Sequence, residues 1–258
     1  MEIDIKHAKK EFIEYTKKYD INDEQIKLKI KHIQRVSNNS KIIAESLKLD
    51  EENVKLAELI GLLHDIGRFE QIKKYHTFKD LDSINHAELG IKILYEEGLI
   101  KKFLNTNKYD KIIKTAILNH NKTNIQTNIS KEELIHSKII RDADTLDIFS
   151  ILISESPKIV WETENIEIEK ISNEIYKNFI ETQKMDYSKI KSGVDLLVCH
   201  FAYIFNFNYQ KSIEIIKEKN YLNKLYKRFN FKDEKTQKQI DEIYNMCLVH
   251  IENALKKS

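Results

Sequence analysis

The residues of this sequence best suited to chemistry are the adjacent His64 and Asp65. Apolar residues recur at three- and four-residue spacing through the preceding segment, 56–63, which predicts one buried face of a helix. A neutral imidazole beside a carboxylate is a ligand pair for a divalent metal ion. Gly67 follows and is expected to end the helix in a left-handed conformation. The alternative is a hydrogen-bonded core histidine next to a charge at a helix end.

Further candidate ligands lie at predicted core-facing positions, each on a different helix. They are His32, His86, His120 and Asp144. Any one of these histidines alone is more often a core or surface residue without a ligand role. Asp144 lies on a segment that is apolar nearly all round, where a buried carboxylate is costly unless a cation neutralises it. The occurrence of all four on separate helices therefore favours a metal site.

The elements that must position these side chains are predicted to be helices almost throughout. Five glycines and one proline in 258 residues leave few of the turns that a sheet needs, so the fold class is all-α. Helices are predicted at 6–19, 24–47, 84–97, 109–119, 130–153, 166–182, 194–219, 221–229 and 234–257. The expected N-caps are Asp50, Ser83 and Ser130, the last in a capping box with Glu133.

The lone proline, Pro157, is the best candidate for a domain boundary. It predicts a first domain over residues 1–156, which includes an N-terminal helix. A helical extension over residues 157–258 is expected to pack on that domain.

Composition and charge disfavour several classes of partner. A net charge of +2 provides no global field that would attract nucleic acid. The longest uncharged run, 196–210, is too short to span a bilayer, and the start of the chain lacks the apolar segment of a signal peptide. Cys199 and Cys247 form no disulfide or CxxC pattern, so a cytoplasmic location is expected. The oligomeric state is left open.

The order of the candidate ligands resembles the HD superfamily of metal-dependent phosphohydrolases, which is named for its adjacent His-Asp pair. The segments Leu-Leu-His-Asp-Ile-Gly and Ala-Asp-Thr-Leu are close to the second and last motifs of that family. The likeness covers residues 26–153. It implies an HD-type helical bundle, to which residues 157–258 would add a carboxy-terminal extension.

The resemblance also implies a ligand set for two divalent metal ions. The first ion would be held by His32, His64, Asp65 and Asp144, and the second by His86 and His120 with Asp65 as the bridge. Asp142 and Asp147 are rival carboxylates, but Asp144 follows alanine and precedes Leu146 in the manner of the family. Imidazoles and carboxylates without thiolates suit Mn²⁺, Fe²⁺, Ni²⁺ or Co²⁺, and Mg²⁺ and Zn²⁺ are also compatible.

Two ions bridged by one carboxylate would share a water and generate hydroxide, which would attack phosphorus. The expected reaction is cleavage of a phosphate ester or anhydride of a nucleotide-like small molecule. Asp65, Arg68 and Lys122 are the predicted catalytic residues. The predicted substrate-binding residues are Arg68, Lys73, Lys74, Arg141 and Glu70, with Glu70 as an optional general acid or base. For each cation the alternative is a solvated surface charge.

Two other functions remain open from the sequence. Mixed-valence di-iron oxygenases use the same fold and ligand set, so oxidation of a small substrate is one alternative. A non-catalytic, metal-stabilised binding module is the other. An intact ligand set argues against such a module, because binding a partner does not need open metal positions.

Overall fold

The computed structural model describes residues 3–184 and 186–256, and within these ranges it contains helices and no strand. The all-α prediction is therefore confirmed. The chain divides into two compact units after Asp147, within a long helix, Lys131–Ser154. The predicted domain boundary after residue 156 stays a prediction.

The first unit is a bundle of helices that carry all the candidate ligands. They are α1 (Ile5–Thr16), α2 (Glu24–Ser46), α3 (Glu51–Leu63), α4 (Gly67–Tyr75), α5 (His86–Ile91), α6 (Asp110–His120) and the part of α7 (Lys131–Ser154) that ends at Asp147. A π-helical turn, Lys92–Glu96, extends α5, and short 3₁₀ turns form at Asp80–Asp82 and Leu99–Lys102. Helix α2 packs along α3, α4 packs on α5, and α5 packs on α6.

Local sequence explains where several of these helices begin. The Asp50 carboxylate accepts from the Asn53 backbone N–H at 2.8 Å, which confirms the predicted cap of α3. Ser130 and Glu133 bond each other's backbone N–H groups as a capping box should. The predicted cap at Ser83 is wrong: Asn85 caps α5, because its side-chain oxygen accepts from the first-turn N–H groups.

Gly67 has a different role from the predicted one. It does not end a helix in a left-handed conformation, since α3 ends at Leu63 and Gly67 begins α4 without a positive φ. A Cβ at this position would lie 2.3 Å from the His86 carbonyl oxygen and 2.7 Å from the Gly90 nitrogen. The glycine is therefore needed because the backbones of α4 and α5 approach closely here.

The second unit is also helical. It contains α8 (Pro157–Trp161), α9 (Asn173–Thr182), α10 (Gly193–Phe201), α11 (Gln210–Glu218), α12 (Tyr221–Tyr226) and α13 (Glu234–Lys256). Helix α13 packs on α9, α10, α11 and α12. The free thiols Cys199 and Cys247 are buried.

Two helices predicted for this unit differ from those observed. The helix predicted at 194–219 is interrupted by a 3₁₀ turn, Ala202–Asn206, and an extended Phe207, where asparagines disfavour the helix. The helix predicted at 166–182 begins only at Asn173. The last residue predicted as helical, 257, lies outside the described ranges.

A buried histidine makes the second unit sensitive to acid. The Trp161 indole N–H donates to His200 Nδ1 at 3.1 Å, so the His200 ring is neutral and accepts at that nitrogen. Burial lowers the pKa of His200 to about 3, from a usual value near 6.5. Because the unfolded chain binds the proton more readily, the stabilisation present above pH 6.5 is lost as the pH falls towards 3.

We expect His200→Gln, which removes the titrating group, to flatten the pH dependence of stability. The native protein should lose about 2 kcal/mol through His200 between pH 7 and pH 5, and the variant should not show this component. Urea unfolding at both pH values measures it. Equal losses in the two proteins would contradict the prediction.

No helix within the described ranges is both long and apolar enough to cross a membrane.

Candidate metal centre

Six candidate ligands converge inside the first unit, each placed by its helix. His32 lies within α2, His64 and Asp65 follow the end of α3, His86 begins α5, His120 ends α6, and Asp144 lies midway along α7. The five ligands other than Asp144 have side chains no more than 4% exposed. The structure therefore brings together all six residues that the sequence selected.

One oxygen of Asp65 faces the group that we call the first half-site, formed with His32, His64 and Asp144. Asp65 Oδ2 lies 3.5 Å from His32 Nε2 and 3.6 Å from His64 Nε2. Asp144 Oδ1 lies 3.2 Å from His32 Nε2 and 3.8 Å from His64 Nε2. The donor atoms of His32, His64 and Asp144 lie within 4.8 Å of one another, which is close enough for them to hold a single ion.

The other oxygen of Asp65 faces the second half-site, formed with His86 and His120. Asp65 Oδ1 lies 3.3 Å from His86 Nε2 and 3.6 Å from His120 Nε2. The two Nε2 atoms are 2.9 Å apart. Asp65 is thus the residue shared by both half-sites.

All four histidines turn Nε2 inwards because Nδ1 is occupied behind the ring. His64 Nδ1 donates to the Gly61 carbonyl at 2.8 Å, and His120 Nδ1 donates to the Ile117 carbonyl at 2.6 Å. A carbonyl can only accept, so the proton sits on Nδ1 and leaves the Nε2 lone pair for a ligand bond. His32 and His86 bond carboxylates through Nδ1 in the same way, His32 with Asp147 and His86 with Asp80.

The inward-facing atoms fit a cation. Among the described residues, His64 Nε2 and Asp65 Oδ1 are buried without a hydrogen-bond partner. Burial lowers the pKa of His64 and of His86 to about 4, so both rings are neutral near pH 7. Neutral imidazoles whose lone pairs meet around a carboxylate repel each other unless a cation lies between them. This donor set matches what a divalent metal ion needs.

Carboxylates dominate the electrostatics of His32. Burial and the nearby Lys29 oppose its protonation, but hydrogen bonds to Asp144, Asp147 and Asp65 raise the pKa of His32 to about 10. Burial alone would favour protonated Asp65, yet Lys29 and the surrounding histidines hold its pKa well below the usual range. The first half-site therefore attracts positive charge.

Lys29 was not singled out from the sequence, although it contacts the centre. Its Nζ lies 2.8 Å from Asp65 Oδ2 and 5.2 Å from the centroid of the Phe78 ring. The signal was available, because Lys29 is one turn before His32 and so shares its face of α2.

Arg68 lies beside the second half-site. Its Nε is 3.6 Å from Asp65 Oδ1, and its NH1 donates to the Phe78 carbonyl and to Asp80 Oδ1. The guanidinium also lies over the Phe78 ring, 5.8 Å from its centroid. Arg68 and Lys29 therefore flank the two oxygens of Asp65, with Phe78 beside both.

The other predicted substrate-binding residues of α4 have different surroundings. Lys73 and Lys74 are exposed and pair with Glu70, which accepts from the Tyr19 hydroxyl at 2.9 Å. Glu70 lines a cavity of about 260 Å³, whose described lining includes none of the six ligands. These three residues thus form a group of their own with Tyr19.

Arg141 and Lys122 are the remaining predicted cations. The Arg141 guanidinium donates to the backbone carbonyls of Asn119, Lys122 and Thr123, so it holds the chain segment that follows α6. The Lys122 side chain is exposed. The observed contacts of Arg141 are structural, because its donors are directed at backbone oxygens.

The rival carboxylate Asp147 does not face the inward-turned ring nitrogens as Asp144 does. Asp147 lies behind His32 and accepts from its Nδ1 at 2.7 Å. Asp142 is buried elsewhere on α7. A carboxylate behind a metal-binding histidine orients the ring and increases its basicity, so Asp147 supports a ligand.

Comparison with known families agrees with this geometry. The family model described as HD domain matches residues 30–148, a range that contains all six ligands. Among curated proteins and solved structures, none matches the chain. Most HD domains are metal-dependent hydrolases, and several histidines and aspartates here could hold a metal. The match over residues 30–148 covers less than half of the chain, and it confirms the resemblance to the HD superfamily.

Proposed function

We propose that this protein is a binuclear phosphohydrolase that cleaves a phosphate ester or anhydride of a nucleotide-like small molecule. The observation that carries the proposal is the division of Asp65 between the half-sites. One oxygen faces His32 and His64, and the other faces His86 and His120. A carboxylate so placed could serve an ion at each half-site, and a pair of divalent ions would stabilise both the attacking and the leaving oxygens of an in-line displacement at phosphorus.

The first half-site would hold one ion through His32, His64 and Asp144, and the second would hold another through His86 and His120. The chemistry that divalent ions supply in such a centre is activation of water and neutralisation of phosphoryl charge. The protein supplies the fixed orientation of the imidazoles and a largely buried setting. Nothing in this scheme requires a serine or cysteine nucleophile.

Lys29 and Arg68 are the cations best placed to bind the phosphoryl group. Both flank Asp65, and both side chains are only 16% exposed. If Asp65 held metal, the Lys29 ammonium and Arg68 Nε, which face its oxygens, would be available to substrate oxygens, while Arg68 NH1 would stay bonded to Asp80. A guanidinium suits bidentate binding of phosphate, and an ammonium acts as a point charge.

The expected substrate is small, and the protein is expected to act in the cytoplasm. Two free, buried thiols suit a reducing compartment. The near-neutral net charge favours a small phosphate compound over nucleic acid.

A screen of the Mn²⁺-loaded protein against nucleotides and simple phosphate esters tests the proposal, with bound metal measured in the same samples. We expect phosphate release from at least one of these classes. Substrate-dependent oxygen uptake by iron-loaded protein without phosphate release would instead favour the oxygenase. Full metal loading with no turnover across the panel would favour a binding module.

We expect Lys29→Met to weaken phosphate binding without removing metal. One charge-assisted hydrogen bond is worth about 1.5–3 kcal/mol, so the KM for substrate and the Kd for inorganic phosphate should rise roughly 10- to 100-fold. Calorimetry with inorganic phosphate measures the Kd directly. Lys27→Met is the matched control, because Lys27 lies on the same helix and pairs with Glu24 at the surface. An unchanged Kd in Lys29→Met would contradict the assignment.

A further inference from the structure

Behind each half-site lies one histidine–aspartate–arginine array. In the first, His32 Nδ1 bonds Asp147 Oδ2 at 2.7 Å, and Arg35 NH2 donates to the same oxygen at 2.9 Å. In the second, His86 Nδ1 bonds Asp80 Oδ2 at 2.6 Å, and Arg68 NH1 donates to Asp80 Oδ1 at 2.8 Å. The two half-sites are therefore supported by the same chemistry.

The two arrays differ in what holds the aspartate. Asp147 lies on α7, its side chain is 2% exposed, and Arg35 reaches it from α2. Asp80 begins the short 3₁₀ turn in the otherwise irregular segment between α4 and α5, and its side chain is 28% exposed. The neighbouring Leu81 is fully exposed, so few apolar contacts hold this segment in place.

The two half-sites also differ in their number of donors. The first offers His32, His64, Asp144 and one oxygen of Asp65, whereas the second offers His86, His120 and the other oxygen of Asp65. Fewer protein donors leave more positions to water or substrate. Both differences weaken binding at the second half-site.

We propose that the two half-sites bind their ions with unequal affinity, and that Asp80 sets the affinity of the weaker one. The inference rests on the proposed binuclear centre and adds that the supply of metal regulates its activity. The first half-site fills first and keeps its ion. The second fills only when free metal is sufficient, so Asp80 links activity to metal supply.

Asp80 acts here as a positioning residue for His86. It also accepts from Gln71 Nε2 at 2.9 Å, which ties the irregular segment to α4. The carboxylate thus places His86 Nε2 towards Asp65 and fixes the proton on Nδ1. Loss of its charge should reduce metal affinity about 10- to 100-fold at the half-site that it supports.

The test is a Mn²⁺ titration of the metal-depleted full chain, in which calorimetry and electron paramagnetic resonance measure binding. We expect two classes of binding in the native protein. Asp80→Asn should reduce the Mn²⁺ affinity of the weaker class only, and Asp147→Asn should reduce that of the tighter class.

Asp82→Asn is the matched control, because Asp82 lies exposed on the same segment. At a Mn²⁺ concentration that just fills both half-sites of the native protein, Asp80→Asn should lack the exchange-coupled signal of a Mn²⁺ pair. Excess metal should restore that signal, which a purely structural defect would not allow.

Two equal sites, one site only, or no metal binding in the native protein would overturn the inference. So would an Asp80→Asn variant that is folded by circular dichroism and has an unchanged weaker class. If Asp80→Asn does not fold, the native titration and Asp147→Asn still decide whether the half-sites are unequal. Asp80→Glu, which keeps the charge but displaces it from His86, then tests the role of Asp80 by the same weakening of the weaker class. A fully loaded protein that hydrolyses no phosphate would refute the proposed reaction but would leave two unequal classes intact, so the two failures are distinguishable.

Discussion

Asp65→Ala is expected to lose both metal ions and to abolish turnover while the helices remain. Asp65 is the shared residue of both half-sites, so its removal takes one donor from each ion at once. Metal binding supplies several kcal/mol of stabilisation to the transition state, and each 1.36 kcal/mol is tenfold in rate. We therefore expect activity to fall roughly 10³-fold or more. Metal analysis, the phosphate-release assay and circular dichroism measure the three effects.

Asp65→Ala leaves the positive charge of Lys29 without its partner, so a control variant is needed. Lys29 loses its 2.8 Å partner in Asp65→Ala, which could lower stability independently of metal. The double variant Asp65→Ala, Lys29→Met removes both charges and should regain stability but not metal. Normal activity in a folded Asp65→Ala protein would show that the site assignment is wrong.

Gly67→Ala is expected to disturb the structure strongly although it adds only one methyl group. The new Cβ would collide with the His86 carbonyl oxygen and the Gly90 nitrogen, both backbone atoms that cannot rotate away. Helix α5 would have to move from α4, and His86 would move with it. We expect a loss of about 1–3 kcal/mol in the free energy of unfolding and weaker binding at the second half-site. Urea unfolding and metal titration measure these.

Gly90→Ala is the matched control, because it adds the same methyl group from the opposite side of the contact. Its nearest neighbour would be a side-chain carbon of Ile66 at 3.4 Å, so there is nearly enough space. Alanine also favours the helical conformation over glycine. Near-native stability is expected, and equal damage from both variants would contradict the explanation for Gly67.

The sequence predicted the helical class and the convergence of the six ligands well, for identifiable reasons. Apolar periodicity identifies helices where capping residues support it, as at Asp50 and Ser130. The ligands could be selected because the HD motifs occur in order. The resemblance implied that Asp65 bridges both ions. The sequence could not reveal which Asp65 oxygen faces which pair of histidines, because that depends on the packing of separate helices.

Other features depend on contacts between segments distant in sequence. Asp80 lies in an irregular segment without periodicity, so nothing local indicated that it supports His86. Gly67 is required because of a carbonyl on the next helix, which the local sequence does not show. In the sequence this glycine looks like an ordinary helix stop. Arg141 has the charge of a phosphate ligand, but its donors are directed at backbone carbonyls. Only the fold separates these roles.

Anomalous diffraction from crystals of Mn²⁺-saturated protein would show directly whether a divalent ion lies on either side of Asp65. We expect two peaks, one contacting His32, His64 and Asp144 and the other contacting His86 and His120, with an Asp65 oxygen on each. A single peak that leaves His86 and His120 without a metal contact would contradict this expectation.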